Sequence, residues 1–145
     1  MFNGHYRNSI NDKGRISIPS KFRELIGEPG CVVLGKTLHE TCLTAYTPDD
    51  WERLLEKTAK LSTTKEALMY YRRHVIGSAE ECQIDPQGRV LIPAHLREHA
   101  ALSGKCQIVG IGERFEIWNE EAYDAYLKRM EAKEDLMAVL EGLDL

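Results

Sequence analysis

Two arginines that follow a glycine in matching segments are the side chains best placed for chemistry in this sequence. Arg15 ends the segment 11–15 (Asn-Asp-Lys-Gly-Arg), and Arg89 ends the segment 85–89 (Asp-Pro-Gln-Gly-Arg). A guanidinium on a tight loop offers a planar fork of donors that suits phosphate oxygens or the O6 and N7 edge of guanine. A structural arginine that pairs with the Asn or Asp four residues back is the competing interpretation. Lys13 adds a second cation beside Arg15.

The residues around each arginine predict the turn that carries it. The side-chain oxygen of Asn11 or Asp85 can accept a hydrogen bond from the backbone two residues on. Gly14 and Gly88 tolerate the positive φ that such a turn needs. After each turn the chain extends to a proline, which restricts its predecessor and suits the start of a helix. We expect Asp85 and Gly88 to structure the second loop, with Asp85 holding Arg89 in position.

The two loops belong to an internal repeat. Residues 10–24 align with residues 84–98 at an offset of 74, and seven of the fifteen aligned residues are identical. Looser similarity continues in two pairs of apolar runs that we expect to form hairpins: residues 31–34 with 43–46, and residues 106–110 with 115–118. A unit of about 40 residues rarely buries its apolar face alone. We therefore expect the two copies to pair into one small β-barrel.

Between and after the copies, apolar residues recur about every 3.6 positions, which predicts helices. The first begins after the capping residue Thr47, the second opens at residues 63–66 (Thr-Thr-Lys-Glu), and the last opens at residues 119–121 (Asn-Glu-Glu). The apolar line of the last helix continues to Leu140. The predicted organisation is a first copy at residues 5–47, a helical connector at residues 48–76, a second copy at residues 77–120 and a C-terminal helix at residues 121–145.

Charge is distributed unevenly along the 145 residues. The formal net charge is -4, which by itself counts against a nucleic-acid binder. Residues 1–25, however, carry a net charge of +3, whereas residues 113–145 carry a net charge of -6. This asymmetry indicates one face for a polyanion and a separate, solvated acidic tail.

Several classes of protein are disfavoured by the sequence. The apolar runs are far shorter than the roughly 18 residues that cross a membrane, and the first residues lack a secretory signal, so we expect a cytoplasmic protein. The four cysteines form no CxxC pair and are interpreted as buried thiols. His95 and His99 have a metal-binding spacing but no third ligand, so a surface pair without metal is favoured. No catalytic motif emerges, and we expect neither an enzyme nor any cofactor, metal or small-molecule ligand.

Several motifs, in their order and separation, resemble the MraZ family over essentially the whole chain. They are Met1-Phe2-x-Gly4, the first loop followed by Ile18-Pro19 and Phe22-Arg23, then Gly77-x-Ala79-x-x-Cys82, and the second loop. The resemblance implies an α+β fold in which two SpoVT/AbrB-like swapped-hairpin domains form a duplicated β-barrel with flanking helices. It also implies a nucleoid-associated bacterial transcriptional regulator, generally a repressor. Such proteins assemble as ring-shaped homo-oligomers on direct repeats in the promoter of the division and cell-wall gene cluster.

The resemblance also assigns roles to the loop residues. The loop arginine that is central to DNA binding in the family maps onto Arg15 and, in the second copy, onto Arg89. The candidate contacts to double-stranded DNA are Arg15, Lys13, Asn11, Gly14, Arg89 and Arg7. Asn11 stands where the family usually has Asp, so it keeps the turn-capping oxygen but loses the charge. The alternative hypothesis is a ring-forming scaffold for other proteins, in which the two loop arginines make subunit contacts.

Overall fold

Residues 1–28 and 30–145, which the computed structural model describes, form strands and helices that alternate along the chain. The strands are β1 (Phe2–Ile10), β2 (Arg15–Ser17), β3 (Cys31–Lys36), β4 (Leu43–Tyr46), β5 (Glu80–Gln83), β6 (Arg89–Leu91), β7 (Gly104–Gly112) and β8 (Phe115–Asn119). The helices are α1 (Ser20–Ile26), α2 (Pro48–Ala59), α3 (Lys65–Tyr71), α4 (Ala94–His99), α5 (Glu120–Glu131) and α6 (Glu134–Glu141), and a π-helical turn covers Arg72–Ile76. The predicted α+β class is confirmed.

The predicted starts of the three long helical segments are confirmed by their capping bonds. The side chain of Thr47 accepts from the backbone N–H of Asp50 at 3.2 Å, with Pro48 in the first turn of α2. Thr64 caps α3 and Asn119 caps α5 in the same way. Each cap satisfies one of the N–H groups that have no partner at a helix start.

The single C-terminal helix expected from the apolar line is wrong, because the chain forms two helices there. The backbone of Lys133 leaves the helical region, with ψ at 101°, between α5 and α6. Glu134 and Asp135 then lie in the first turn of α6, while Lys128 and Arg129 lie in the last turn of α5. Acids at a helix start and bases at a helix end are favoured by the helix dipole, so this charge pattern suits two short helices.

The two copies of the repeat share one antiparallel sheet. Its order is β1-β7-β8-β4-β3-β5, and β2 pairs with β6 in a separate two-stranded ribbon. The repeat makes β1 equivalent to β5, β3 to β7, and β4 to β8. The order is therefore the same from either end, and β1 of the first copy pairs with β7 of the second, as β5 pairs with β3. Strands of the two copies cross over about a pseudo-twofold axis.

The sheet does not close into the expected barrel. Its order begins at β1 and ends at β5, so these two strands form its edges. The physical reason lies in the turns after β1 and β5, which direct the chain out of the sheet and into the ribbon of β2 and β6. The prediction of a closed barrel is thus corrected to an open sheet covered on one face by the ribbon.

The main core lies between that face of the sheet and the ribbon. Ile16 of β2 and Val90 of β6 are fully buried there, together with Phe22 of α1 and Leu96 of α4. The ring of Phe22 packs edge-on against that of Phe2, with the centroids 5.1 Å apart. A smaller cluster around Trp118 and the residues of α5 covers the opposite face. Because Ile16 and Val90 face this core, their neighbours along β2 and β6 point away from it.

The helices and the cysteines can be compared with the expectations from the sequence. Within residues 1–28 and 30–145, no helix has the length and apolar character required to span a bilayer. Cys42, Cys82 and Cys106 are buried, whereas Cys31 is half-buried. Burial raises the pKa of the Cys82 and Cys106 thiols to about 11. These thiols therefore remain protonated at neutral pH.

Candidate nucleic-acid interface

The ribbon of β2 and β6 brings the two loop arginines to one outer face. Arg15 lies opposite Leu91 in the ladder, and Ser17 lies opposite Arg89, with Ile16 and Val90 between them. Because successive side chains of a strand point to opposite faces, the burial of the central pair directs the other four outward. Arg15 and Arg89 are diagonal neighbours across the ladder, a separation that long side chains can bridge.

The first loop is held by Asn11, as the sequence predicts. The side-chain Oδ1 of Asn11 accepts from the backbone N–H of Lys13 at 3.0 Å and from that of Arg15 at 2.9 Å. The N–H of Gly14 donates to the carbonyl of Asn11 at 2.9 Å, and Gly14 has a φ of 89°. The neutral amide therefore suffices to close this turn.

The second loop has the same backbone and one further contact. Oδ1 of Asp85 accepts from the N–H groups of Gln87 and Arg89, both at 2.9 Å. Its other oxygen, Oδ2, accepts from Nε of Arg89 at 3.2 Å. The backbone N–H of Arg89 is the main cause that holds the pKa of the Asp85 carboxyl below its usual range, and the Gln87 N–H and the Arg89 guanidinium add to it.

The guanidinium of Arg89 is bonded to the carboxylate of its own loop, whereas that of Arg15 is not. The Asn11 side chain has an NH₂ group where Asp85 has its second oxygen, and an NH₂ group cannot accept from a guanidinium. Within the described part of the chain, the guanidinium of Arg15 makes no ion pair or hydrogen bond. Arg15 is therefore available to an external acceptor, whereas Arg89 must first leave Asp85 or share it.

A shallow depression on the surface gathers most of the predicted residues. Its lining consists of Asn11, Asp12, Lys13, Arg15 and Arg89. The arrangement places three cations beside one carboxylate at this surface. Its chemistry therefore suits an anion.

The other two predicted contacts do not line this depression. Gly14 belongs to the first loop but is buried. Arg7 lies on β1, where its Nε pairs with Glu120 at 2.6 Å, outside the lining of the depression. The structure therefore does not bring Arg7 together with the loop arginines.

Sequence reasoning missed two further arginines that hold the loops from beneath. Nε of Arg97, on α4, donates to the carbonyl of Ile92 at 2.9 Å, and its guanidinium lies against Gly14 of the other copy. A Cβ at Gly14 would meet that guanidinium at 2.6 Å. The loop therefore approaches the arginine as closely as a residue without a side chain allows.

The same contact occurs at the other loop with the copies exchanged. Nε of Arg23, on α1, donates to the carbonyl of Ile18 at 3.0 Å, and its guanidinium lies against Gly88. Backbone bonds reinforce the crossing, since the N–H of Ile18 donates to Gly88 and that of Ile92 donates to Gly14, both at 2.9 Å. Arg23 and Arg97 are identical at aligned positions of the repeat, which is the signal that could have identified them.

The histidines with metal-like spacing turn to different neighbours. Nδ1 of His95 lies 3.3 Å from Oε2 of Glu80, while the ring of His99 packs edge-on against that of His74. Among residues 1–28 and 30–145, no group of three or more His, Cys, Asp or Glu side chains is arranged to hold a metal ion.

Comparison with known proteins identifies the family. The model of the family described as "MraZ protein, putative antitoxin-like" matches residues 1–73 and 75–144. The chain belongs to the MraZ family. The second matched segment begins 74 residues after the first, which is the offset that relates the two loops. The resemblance inferred from the sequence motifs is confirmed.

Curated MraZ relatives span nearly the whole chain. A "Transcriptional regulator MraZ" of Ligilactobacillus salivarius (strain UCC118) is 43% identical over 138 residues, which cover 95% of this chain and 94% of that protein. One of Caldanaerobacter subterraneus subsp. tengcongensis is 42% identical over 128 residues, covering 88% of this chain and 87% of the relative. One of Thermoanaerobacter sp. (strain X514) is 38% identical and covers 100% of both chains. MraZ relatives of this length therefore match both copies of the repeat.

Proposed function

We propose that this chain is a sequence-specific DNA-binding transcriptional regulator and that the ribbon of β2 and β6 is its contact with double-stranded DNA. The observation that carries the proposal is the shared outer face of the ribbon, on which Arg15 and Arg89 lie together with Lys13 beside them. The major groove of DNA, about 12 Å wide, admits a two-stranded β-ribbon. The names of the curated relatives as transcriptional regulators support the same function.

Each loop residue has a role in the proposal. Arg15, uncommitted within the described chain, contacts a guanine edge or phosphates, and Lys13 contacts a phosphate. Asn11 and Gly14 contribute to the DNA contact by forming the first turn, whose internal hydrogen bonds position Lys13 and Arg15. Arg89 makes the second contact from a loop that Asp85 and Gly88 hold. Arg7, which pairs with Glu120, is the least direct of the proposed contacts.

The acidic total of the chain is compatible with this function because the ribbon separates its cations from the acidic C-terminal segment. One ribbon makes few phosphate contacts, so a single chain should bind weakly. Linking several ribbons in a ring-shaped homo-oligomer raises the effective concentration of each at the next direct repeat. The exposed apolar side chains of Val139 and Leu140 on α6 suit contacts between such subunits.

The proposal extends to the finer features that the family resemblance implies. The two copies are SpoVT/AbrB-like swapped-hairpin domains, at residues 5–47 and 77–120, with the connector at 48–76 and the C-terminal segment at 121–145. The exchange of strands between the copies supports this organisation. The protein acts in the cytoplasm at the nucleoid, as a repressor on direct repeats in the promoter of the division and cell-wall gene cluster. It acts without catalysis, cofactor or small-molecule ligand.

A gel-shift experiment tests the proposal. Duplex DNA from the region upstream of the protein's own gene is titrated with the wild-type protein, with Arg15→Ala, and with Lys57→Ala as a matched loss of one exposed cation on α2. We expect the wild type and Lys57→Ala to bind this duplex in preference to a shuffled one, and Arg15→Ala to lose that preference while its assembly stays unchanged by light scattering. If Arg15→Ala bound the duplex with wild-type affinity, the proposal would be contradicted. If the Arg15→Ala protein dissociated into monomers, the alternative hypothesis of a ring-forming scaffold would be favoured.

A further inference from the structure

An apolar side chain interrupts the polar outer face of the ribbon. Leu91 is directly opposite Arg15 in the β2–β6 ladder, and 51% of its surface is exposed. Its neighbours on that face are Arg15, Ser17 and Arg89. Since the inner face of the ribbon is already filled by Ile16 and Val90, packing within the chain does not account for this leucine.

The repeat shows what the position holds in the other copy. Leu91 aligns with Ser17 at the offset of 74, so the two halves of an otherwise pseudo-symmetric face carry different chemistry. Ser17 presents a hydroxyl that can donate and accept hydrogen bonds, whereas Leu91 presents only methyl groups. The two loops also differ in polarity: the first carries the cation Lys13 where the second carries the neutral Gln87.

We propose that Leu91 reads the C5-methyl group of a thymine in the major groove, beside the base or phosphate that Arg15 contacts. The inference rests on the proposed function and adds a specificity-determining residue to it. The thymine methyl is the apolar group among the base edges of the major groove, and contact with an apolar side chain is the way proteins recognise it. Cations surround the leucine on the ribbon and in the first loop, and they complement the negative phosphates of DNA. This charge complementarity favours DNA as the partner of this face.

The spacing of the ladder suits neighbouring base pairs. Residues directly opposite each other in an antiparallel pair have Cβ atoms about 5 Å apart. Base pairs stack about 3.4 Å apart along each strand. Leu91 and Arg15 can therefore address the same base pair or adjacent ones.

The unequal halves give the ribbon a direction on DNA. A ribbon with identical halves would fit a site with twofold symmetry. With Leu91 at one position and Ser17 at its counterpart, turning the ribbon around would place a hydroxyl against the thymine methyl. The asymmetry therefore favours sites that repeat in one orientation, as direct repeats do.

Deoxyuridine in place of thymidine tests the inference, because it removes the methyl group and leaves the hydrogen-bonding edge intact. The upstream duplex is prepared in both forms and titrated with the wild type, with Leu91→Ser, and with Leu38→Ser as an exposed-leucine control away from the ribbon. We expect the wild type and Leu38→Ser to bind the uracil duplex about three- to fourfold more weakly per contacted methyl, from roughly 0.8 kcal/mol for one buried methyl-sized group. Leu91→Ser should bind both duplexes alike, as weakly as the wild type binds the uracil form.

The outcomes separate this inference from the function on which it rests. Equal wild-type affinity for the two duplexes, with Arg15→Ala still defective, would overturn the role of Leu91 and leave the regulator intact. An unchanged methyl preference in Leu91→Ser would overturn it too, since the effect would then come from the DNA itself or another residue. Dissociation of Leu91→Ser into smaller species would show that Leu91 contacts a second copy instead. Failure of the wild type to bind either duplex would overturn both proposals.

Discussion

Each loop packs against an arginine of the other copy of the repeat. We therefore predict that the stability of the first loop depends on Arg97 of the second copy. Arg97 donates from Nε to the carbonyl of Ile92 and lies against Gly14. Arg97→Ala removes a hydrogen bond with a charged donor, a class worth about 1.5–3 kcal/mol. Because Arg97 is only half-buried, we expect a loss near the lower limit, about 1.5 kcal/mol in the free energy of unfolding. Gly14 would also lose the guanidinium that packs against its backbone.

The destabilisation by Arg97→Ala should be concentrated in the first loop. Urea denaturation measures the free energy of unfolding, and amide hydrogen exchange by NMR measures local opening. Arg97→Ala should accelerate exchange at the amides of Gly14 and Arg15 and leave those of Gly88 and Arg89 unchanged. Arg97→Lys, which retains the charge but not the Nε bond, should show most of the same acceleration.

Arg23→Ala supplies the reciprocal test. Its guanidinium lies against Gly88, so this substitution should loosen the loop 85–88 and spare the loop 11–14. Each substitution would then act on the copy that does not contain it. If Arg97→Ala instead loosened the second loop, or if neither loop responded, the crossed contacts would not be what holds the loops.

Two further predictions concern the second loop. Gly88→Ala should destabilise the protein by more than the roughly 1–2 kcal/mol of a strained positive φ, because the new Cβ would lie 2.6 Å from the Arg23 guanidinium and would displace its Nε from the carbonyl of Ile18. In an Arg23→Ala background, Gly88→Ala should cost only the backbone strain in the same thermal or urea unfolding experiment, and equal losses in the two backgrounds would refute the close contact. The lowered pKa of Asp85 means that its stabilising contribution is present above the ordinary value of 3.8 and is lost as pH falls through the lower folded value. In an NMR titration the amide of Arg89, which donates to Asp85, should therefore shift below pH 3.8, whereas that of Arg15, which donates to the neutral Asn11, should not follow; parallel titration of the two amides would contradict the assignment.

Local features of this chain could be predicted from its sequence because they depend on neighbouring residues. The turns at Asn11 and Asp85 follow from an Asx side chain and a glycine three residues later. The start of α2 follows from Thr47 as a cap and Pro48 at the first helical position. The strand pairs β3–β4 and β7–β8 follow from apolar runs joined by short loops.

Features that depend on pairing between distant segments could not be predicted in the same way. The repeat indicated that two copies pair, but it did not specify that β1 crosses to β7 while β5 crosses to β3, which leaves the sheet open. Nor did it show that Arg97 supports the loop containing Arg15, since that contact joins residues that are far apart in the chain. The ion pair of Arg7 with Glu120 likewise depends on α5 beginning beside β1. Aligned identities across the repeat marked Arg23 and Arg97 without giving their partners.

The salt dependence of DNA binding tests the role of the ribbon most directly. Each phosphate neutralised by a cation contributes about 0.9 to the slope of log K against log salt concentration. For the wild type and Arg15→Ala on the upstream duplex, with assembly verified by light scattering, we predict a steep wild-type slope. The slope of Arg15→Ala should be shallower by about 0.9 for every subunit whose Arg15 contacts a phosphate. Identical affinities and slopes for the two proteins would show that this guanidinium does not face the DNA.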